Sequence, residues 1–470
     1  MNEPRSVVVR RVVVVSDIHM GPSDKSAFFR AGPELAAFVA GLARRPDPLD
    51  LVILGDALDY LQMEPYLAFT EKVALEKTRA IIAHNRGVFD ALATFAAMKD
   101  KRIRWCIGNH DIELLFPSAR RAIEATLFGE GKAPSTLVWE LDDDKLDYLA
   151  NGRRLRLVHG NKADRWNILD YPATRALAEN GGDAGYVYPL GSRLVARVLN
   201  PLKDQGFGHV DLLKPEQSVA LPLTLALWPE DTAKLLREAF PLLASASASQ
   251  IAQMLAGLGG AAPVTFAPGE AAPADDAALL REALAAMGGG LGPGERADVA
   301  KLVLTGKAAP QQGGAVTFGI RAWVTSLLRQ SGKAANEESD VFALDKPDDL
   351  HAVVLDTFAK SAAAGGEPIA VLIAGHTHLA RSVSYLAGHY FNTGTWADLM
   401  RLPRFIADED FEALASTLRD ALRSPEQAPA ALRPFRRLTY AELDLAPESG
   451  APFRASLKEH AGDPTWATYP

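Results

Sequence analysis

Residues of the kinds that bind metals and move protons follow five apolar runs in this sequence. The clearest example is Gly108-Asn109-His110-Asp111, which follows the apolar run at residues 103–107. The amide oxygen of Asn109 can bind a hard metal ion, and the imidazole of His110 can give or take a proton near neutral pH. A polar turn that caps a strand is the alternative interpretation of this tetrapeptide taken alone.

Four further groups favour the metal interpretation. They are Asp17-Ile18-His19, Gly55-Asp56-Ala57-Leu58-Asp59, His159-Gly160-Asn161 and Gly375-His376-Thr377-His378. Carboxylate oxygens combined with imidazole nitrogens are typical ligands of first-row metal ions. Each group has a structural alternative, such as a helix-capping Asp17 or a surface Asp59 on a helix. Because a structural explanation of all the groups needs five coincidences, we interpret them as one metal site.

The runs that precede these groups predict buried strands separated by helices. The strands are expected at residues 12–15, 51–54, 103–107, 155–158 and 369–374, with helical spacing at 31–42 and, with possible breaks, at 68–98. This alternation predicts an α/β layered sheet. In open α/β sheets the ligand crevice lies beyond the carboxyl ends of the strands, which is where all five groups stand.

Shorter segments complete the predicted pattern. We expect a hairpin formed by residues 137–140 and 146–149, antiparallel strands at 382–386 and 389–392, a helix at 411–422 and a final strand at 438–445.

Between about residues 162 and 368 the strand pattern disappears and Ala, Leu, Gly and Pro dominate. This part is predicted to be a large, mostly helical insertion that serves as a cap or a dimer contact. The predicted division is 1–165 and 368–400 for the two parts of the core, 166–367 for the insertion and 401–470 for a C-terminal extension.

Composition restricts the class of protein. The formal net charge of −8 over 470 residues disfavours a dedicated nucleic-acid binder, which normally carries a basic surface. The single cysteine, Cys106, excludes an internal disulfide framework and is typical of a reducing compartment. No run has the length of a membrane span or the pattern of a signal peptide, so we expect a cytoplasmic protein.

In chain order, the five groups resemble the motifs of the calcineurin-like metallophosphoesterase superfamily. The resemblance covers about the first 165 residues and roughly residues 365–400. It implies a four-layer αββα sandwich of two mixed sheets, with two divalent metal ions at the strand ends. Manganese is the expected metal, with iron or zinc as alternatives, because mixed imidazole, carboxylate and amide ligands suit all three.

Carried over by position, the resemblance implies a role for each residue. One metal would be held by Asp17, His19, Asp56 and His378. The other would be held by Asp56, Asn109, His159 and His376, with Asp56 shared between them. His110 would be the catalytic residue on the leaving-group side, and Asp59 would orient it.

Two differences from the protein Ser/Thr phosphatases narrow the expected activity. Tyr60 stands where protein Ser/Thr phosphatases have arginine, and Asp111 stands where they have glutamate. The motifs look more like those of bacterial phosphodiesterases, UDP-diacylglucosamine pyrophosphohydrolases and SbcD-type DNA nucleases. We therefore expect a hydrolase that cleaves a phosphodiester or pyrophosphate bond of a small or nucleotide-like substrate with a metal-activated hydroxide. A DNA nuclease and a non-catalytic scaffold on the same fold are the alternatives, and a homo-oligomer is compatible with the sequence.

The loop after His159 offers candidate substrate contacts. Lys162 and Arg165 could contact a phosphate, and Trp166 could stack on a base or a sugar. A solvated loop with one packing tryptophan is the equally weighted alternative.

Overall fold

The chain divides into two compact units in the computed structural model. The structure describes residues 11–23, 29–131, 136–142, 146–164, 166–204, 206, 213–214, 341–401, 411–446, 453–460 and 467–468. The first unit comprises Met1–Ser192, Phe342–Asp398 and Arg436–Pro470, and the second comprises Arg193–Val341 and Leu399–Phe435. Most of the predicted insertion, residues 215–340, lies outside the described residues.

Strands and helices alternate along the described parts of the chain, and they are numbered here through both units. In chain order, the strands are β1 (Arg11–Val15), β2 (Leu49–Leu54), β3 (Phe69–Thr70), β4 (Lys101–Cys106), β5 (Leu137–Glu140), β6 (Leu146–Ala150), β7 (Arg153–Leu157), β8 (Gly182–Asp183), β9 (Leu213–Lys214), β10 (Ile369–Ala374), β11 (Arg381–Tyr385), β12 (Gly388–Asn392), β13 (Met400–Arg401), β14 (Thr439–Asp444), β15 (Arg454–Glu459) and β16 (Ala467–Thr468). The α-helices are α1 (Gly32–Ala43), α2 (Glu71–His84), α3 (Arg86–Ala97), α4 (Pro117–Phe128), α5 (Tyr171–Glu179), α6 (Leu190–Leu194), α7 (Asn200–Asp204), α8 (His351–Ala363) and α9 (Phe411–Arg423).

Two mixed sheets form the centre of the first unit. The larger sheet has the order β16-β15-β14-β1-β2-β4-β5, and the smaller has the order β11-β12-β10-β7-β6. In the larger sheet β1, β2, β4 and β5 are parallel to one another, whereas β14 runs antiparallel to β1. In the smaller sheet β10 is parallel to both β7 and β12. The carboxyl ends of the parallel strands therefore meet at one edge of each sheet.

The β-branched run of β1 shows how the layers pack. Val13 and Val15 belong to the apolar cluster that contains α1, α3 and α4, whereas Val12 and Val14 belong to the cluster shared by the two sheets. A strand buried on both faces needs such a continuous apolar run. Helix α8 covers the other face of the smaller sheet through Val354 and Phe358. The predicted α/β sandwich of two mixed sheets is confirmed.

One local expectation differs from the structure, and the structure locates one break that the sequence allowed for. The predicted hairpin at 137–140 and 146–149 is wrong, because β5 pairs with β4 in the larger sheet and β6 pairs with β7 in the smaller one. Alternating apolar residues identify a strand, but they do not identify its partner. The helical stretch at 68–98 breaks at Asn85, whose side chain donates to the carbonyls of Ile81 (2.9 Å) and Gly21 (2.8 Å).

The second unit contributes less described structure. Its strands β9 and β13 pair in parallel, and its helix α9 spans Phe411–Arg423. A π-helical segment, Val195–Leu199, joins α6 to α7. Among the residues that the structure describes, no helix is long and apolar enough to cross a membrane.

Candidate metal centre

The loops after β1 and β2 lie side by side, and they begin the candidate site. Because the two strands are parallel and in register, their ends meet, and the loops continue the pairing beyond the strands. The backbone nitrogen of Asp17 donates to the carbonyl of Gly55 (3.1 Å), and that of His19 donates to the carbonyl of Asp56 (2.9 Å). Two of the predicted groups are thus joined by backbone hydrogen bonds.

Asp17, His19 and His378 form the first group of candidate ligands. The Nε2 atoms of His19 and His378 are 3.0 Å apart, and His378 Nε2 is 3.5 Å from Asp17 Oδ1. His19 Nδ1 lies 3.2 Å from Asp59 Oδ2. An ionised carboxylate only accepts hydrogen bonds, so His19 carries its proton on Nδ1. In the neutral ring the lone pair of His19 is then on Nε2, the nitrogen that faces His378.

Asp56, Asn109 and His159 form a second group with the same character. His159 Nδ1 donates to the Leu54 carbonyl (2.9 Å), which leaves the lone pair on Nε2. That nitrogen lies 3.2 Å from Asp56 Oδ2 and 3.3 Å from Asn109 Oδ1. Three buried acceptor atoms therefore lie together: Asp56 Oδ2, Asn109 Oδ1 and His159 Nε2. A cation between them would stabilise this arrangement.

The spacing of the donor atoms fits metal ions. Ligand atoms about 2.1 Å from a common ion are themselves about 3–3.4 Å apart in octahedral or tetrahedral geometry. The described residues contain three groups whose ligand atoms all lie within 4.8 Å of one another. They are Asp17 with His19 and His378, His19 with Asp56 and His110, and Asp56 with His159 and His376. The donor set and its spacing therefore fit the predicted metal site.

Five of the predicted ligands adopt a left-handed backbone conformation. Their φ angles are 51° for Asp17, 56° for His19, 51° for Asp56, 69° for His376 and 61° for His378. Such a conformation costs a non-glycine residue on the order of 1–3 kcal/mol and persists only where the surroundings impose it. The concentration of this strain at one place indicates that the loops are shaped to aim these side chains.

The charges of the candidate ligands suit a cation site. Burial by itself raises the pKa of Asp56, but the nearby His159, His110 and His19 outweigh it and hold that pKa well below its ordinary value. Burial likewise opposes ionisation of Asp17, yet His378 and His159 lower its pKa. Both carboxylates are almost completely buried. Two ionised, buried carboxylates require compensating positive charge, which bound cations supply.

His110 lies at the partly open side of this cluster. Its side chain is 16% exposed, whereas that of His19 is fully buried. His110 Nδ1 lies 3.2 Å from Asp59 Oδ1, so Nε2 is the nitrogen left to exchange a proton with a substrate. Burial lowers the pKa of His110, but Asp59 and Asp56 outweigh this effect and raise it to about 9. The imidazolium that results can act as a general acid at neutral pH.

Gly108 permits the loops to approach one another. A Cβ atom at this position would overlap the Asp56 carboxylate and lie 2.6 Å from the Asp56 backbone nitrogen. We predict that Gly108→Ala displaces Asp56 and lowers metal-dependent turnover by at least about 100-fold, the order of loss that a 1 Å misplacement causes. Turnover and bound metal should both be measured on the purified variant.

Gly87→Ala is the matched control for this prediction. Gly87 lies in helix α3, and a Cβ atom there meets nothing within 4 Å. The control should keep full activity, because the added methyl group contacts no other atom. Wild-type activity in Gly108→Ala would show that Asp56 does not depend on this close approach.

The structure describes two of the three predicted substrate contacts, Lys162 and Trp166. The ammonium group of Lys162 lies over the ring of Tyr171, 5.0 Å from its centroid, and Trp166 is half-buried. Arg165 lies outside the described residues. The role of these three residues in substrate binding stays a prediction.

Asp164 and Asn167 contact candidate ligands, although sequence reasoning gave neither of them a role. Asp164 Oδ2 lies 3.0 Å from His376 Nε2, and Asn109 Nδ2 donates to Asn167 Oδ1 at 3.4 Å. Residues 164–167 lie near the site because they follow His159 closely in the sequence. No local feature of the sequence predicts the contact of Asp164 with His376. That contact joins residues 212 positions apart.

A separate polar cluster supports the loop that carries His376 and His378. Asn392 Nδ2 donates to the Gly375 carbonyl (2.7 Å), and Asp348 Oδ2 accepts from Thr377 Oγ1 (3.2 Å) and Tyr390 (2.8 Å). On the other side of the loop, the His376 backbone nitrogen donates to both Asp17 oxygens, at 3.0 and 2.9 Å. These bonds hold the two histidines in their left-handed conformation.

Comparison with known proteins agrees with this geometry. Residues 10–194 match the family model described as calcineurin-like phosphoesterase, and a search of curated proteins gives no match. The matched stretch contains the groups from Asp17 to His159, and the smaller sheet brings His376 and His378 to the same cluster. Residues 10–194 of the chain therefore form a calcineurin-like phosphoesterase domain.

Proposed function

We propose that this protein is a dinuclear-metal-dependent hydrolase of a phosphodiester or pyrophosphate bond in a small or nucleotide-like substrate. The observation that carries the proposal is the position of Asp56. Its Oδ2 atom lies 3.2 Å from His159 Nε2 and 3.9 Å from His19 Nε2, between one histidine of each ligand group. A carboxylate in this position is suited to bridge two cations.

The proposed ligand sets follow from this position. Asp17, His19, Asp56 and His378 would hold one ion, and Asp56, Asn109, His159 and His376 would hold the other. Two such ions lower the pKa of water and neutralise the oxygens of a phosphoryl group. Mn²⁺ is the proposed metal, since Asn109 and two aspartates add hard oxygen donors to the imidazoles.

His110 and Asp59 are the proposed residues for protonation of the leaving group. We propose that His110 protonates the departing oxygen from Nε2 while Asp59 holds its Nδ1. The exposed fractions of the side chains support this role, because His110 and His378 are each 16% exposed while Asp17, His19, Asp56 and His159 are buried. A substrate would reach the site from that side, where a phosphoryl group could meet both the ions and the acid.

The proposal is tested by turnover of two model esters. Purified full-length protein is stripped with a chelator, reconstituted with Mn²⁺, and assayed with bis-(p-nitrophenyl) phosphate and with p-nitrophenyl phosphate. We expect faster cleavage of the diester, loss of activity in the stripped protein and its recovery on adding Mn²⁺.

Other outcomes would overturn specific parts of the proposal. A preference for the monoester would mean that the protein is a phosphatase and not a diesterase. Salt-dependent cutting of DNA ends, with little turnover of small esters, would favour a nuclease. Absence of both turnover and bound metal would refute the enzymatic proposal.

A further inference from the structure

Asp164 makes a set of contacts that the proposed mechanism does not use. It follows the 3₁₀ turn Asn161–Ala163, and its side chain is 16% exposed. Its Oδ2 atom lies 3.0 Å from His376 Nε2 and accepts from Asn167 Nδ2 (2.7 Å), while Oδ1 accepts from the Trp166 backbone nitrogen (2.9 Å).

The contact with Asp164 determines which nitrogen of His376 can bind a metal. Both oxygens of Asp164 already accept hydrogen bonds, from the Trp166 backbone nitrogen and from Asn167 Nδ2, so in the contact with His376 the imidazole is the donor and carries a proton on Nε2. A metal then has to use Nδ1, because a neutral imidazole has one lone pair. Across the site the arrangement is reversed, since His19 donates from Nδ1 to Asp59 and presents Nε2.

Asn167 extends the influence of Asp164 to Asn109. Because Asn167 Nδ2 donates to Asp164, its Oδ1 atom accepts from Asn109 Nδ2 at 3.4 Å. The amide of Asn109 is thereby turned so that its oxygen faces His159 Nε2 at 3.3 Å. Oxygen is the only atom of this amide that can bind a cation. The chain of contacts thus orients an imidazole and an amide that are assigned to the same ion.

We propose that Asp164 is the positioning residue of the metal site formed by Asp56, Asn109, His159 and His376. It holds His376 as an Nδ1 ligand and, through Asn167, holds Asn109 as an oxygen ligand. The inference rests on the proposed two-metal function and adds a residue to it. A carboxylate behind a ligating histidine fixes the ring orientation and raises the basicity of the ligand.

The test measures metal binding and is independent of turnover. Chelator-stripped full-length protein is titrated with Mn²⁺ by calorimetry, and electron paramagnetic resonance follows the magnetic coupling between the ions. For Asp164→Asn we expect one site to weaken about 10–100-fold, as is usual when such a partner is lost, while the other stays unchanged. At one equivalent of Mn²⁺ the variant should show an uncoupled signal.

Asp170→Asn is the matched control. Asp170 lies on the same loop, caps helix α5 by accepting from the Ala173 nitrogen (3.0 Å), and is exposed. Asparagine caps a helix about as well as aspartate, so this variant has the same change of charge without the contact to a ligand. It should bind two ions as the wild type does.

A second variant separates positioning from a general structural role. Asn167→Ala keeps the contact between Asp164 and His376 but removes the link to Asn109, so it should weaken the same site. The proposal is overturned if Asp164→Asn binds both ions with wild-type affinity. It is also overturned if both variants lower the melting temperature of the stripped protein well below that of the control. Failure of the wild type to bind two ions would refute the proposed function itself.

Discussion

Asparagine in place of Asp56 is expected to abolish the stabilisation that Mn²⁺ gives to the protein, together with its metal-dependent turnover. In the wild type, an ion present at 100 times its dissociation constant adds about 2.7 kcal/mol to the free energy of unfolding. The Asp56 carboxylate is shared by both proposed ligand sets, and a neutral amide cannot bridge two cations. The measurement is the shift in melting temperature when Mn²⁺ is added to stripped protein.

Asp90→Asn is the control for this experiment. Asp90 is exposed on helix α3, where it pairs with Arg86 (2.8 Å). Its variant should keep the full Mn²⁺-induced rise in melting temperature. If Asp56→Asn showed the same rise and bound two equivalents of Mn²⁺, the bridging role of Asp56 would be wrong.

A second large effect is expected for His110→Asn, which should lower turnover about 10²–10⁴-fold, the usual contribution of general acid catalysis. His110 belongs to neither proposed ligand set, so the variant should bind Mn²⁺ as the wild type does. The loss should be smaller for p-nitrophenyl esters than for esters with a poor leaving group, because p-nitrophenolate departs without much help from an acid. A comparison of two diesters with different leaving groups measures this difference.

His84→Asn is the matched control for the acid. His84 ends helix α2, is exposed, and belongs to neither proposed ligand set. It should leave both diester reactions unchanged. An equal loss for good and poor leaving groups in His110→Asn would contradict the role as an acid and would favour electrostatic binding of the phosphoryl group instead.

One carboxylate connects the proposed acid with the proposed metal site. Asp59 Oδ1 lies 3.2 Å from His110 Nδ1, and Asp59 Oδ2 lies 3.2 Å from His19 Nδ1. The two imidazole rings meet edge to face, with centroids 4.7 Å apart. Asp59 is almost completely buried, and its pKa is well below the ordinary value because the two histidines, chiefly His110, outweigh its burial. It can therefore orient a proposed metal ligand and the proposed acid at the same time.

The ends of the buried strands could be predicted because a continuous apolar run is a local property of the sequence. The run Val12–Val15 is uniformly apolar since β1 is buried on both faces, and the same reasoning applies to Ile369–Ala374 in β10. Parallel strands bring their carboxyl ends to a common edge, so Asp17 and Asp56 could be expected to meet. For this reason the kinds of residue at the site and its place in the fold were predictable from the sequence.

The partners of strands and of side chains required the tertiary structure. Residues 137–140 and 146–149 are close in sequence, yet β5 and β6 belong to different sheets, because pairing depends on which edges are left open after the whole unit packs. In the same way, His376 meets Asp164 only because β10 lies beside β7.

By itself, the sequence identified candidate metal ligands by residue type and placed them at the strand ends, because residue type and strand periodicity are local properties. Only the tertiary structure decided which nitrogen each histidine presents. His19 donates from Nδ1 to Asp59, whereas His376 faces Asp164 through Nε2. The physical reason is that a tautomer is set by the hydrogen bond on the other side of the ring, and that partner lies far away in the chain.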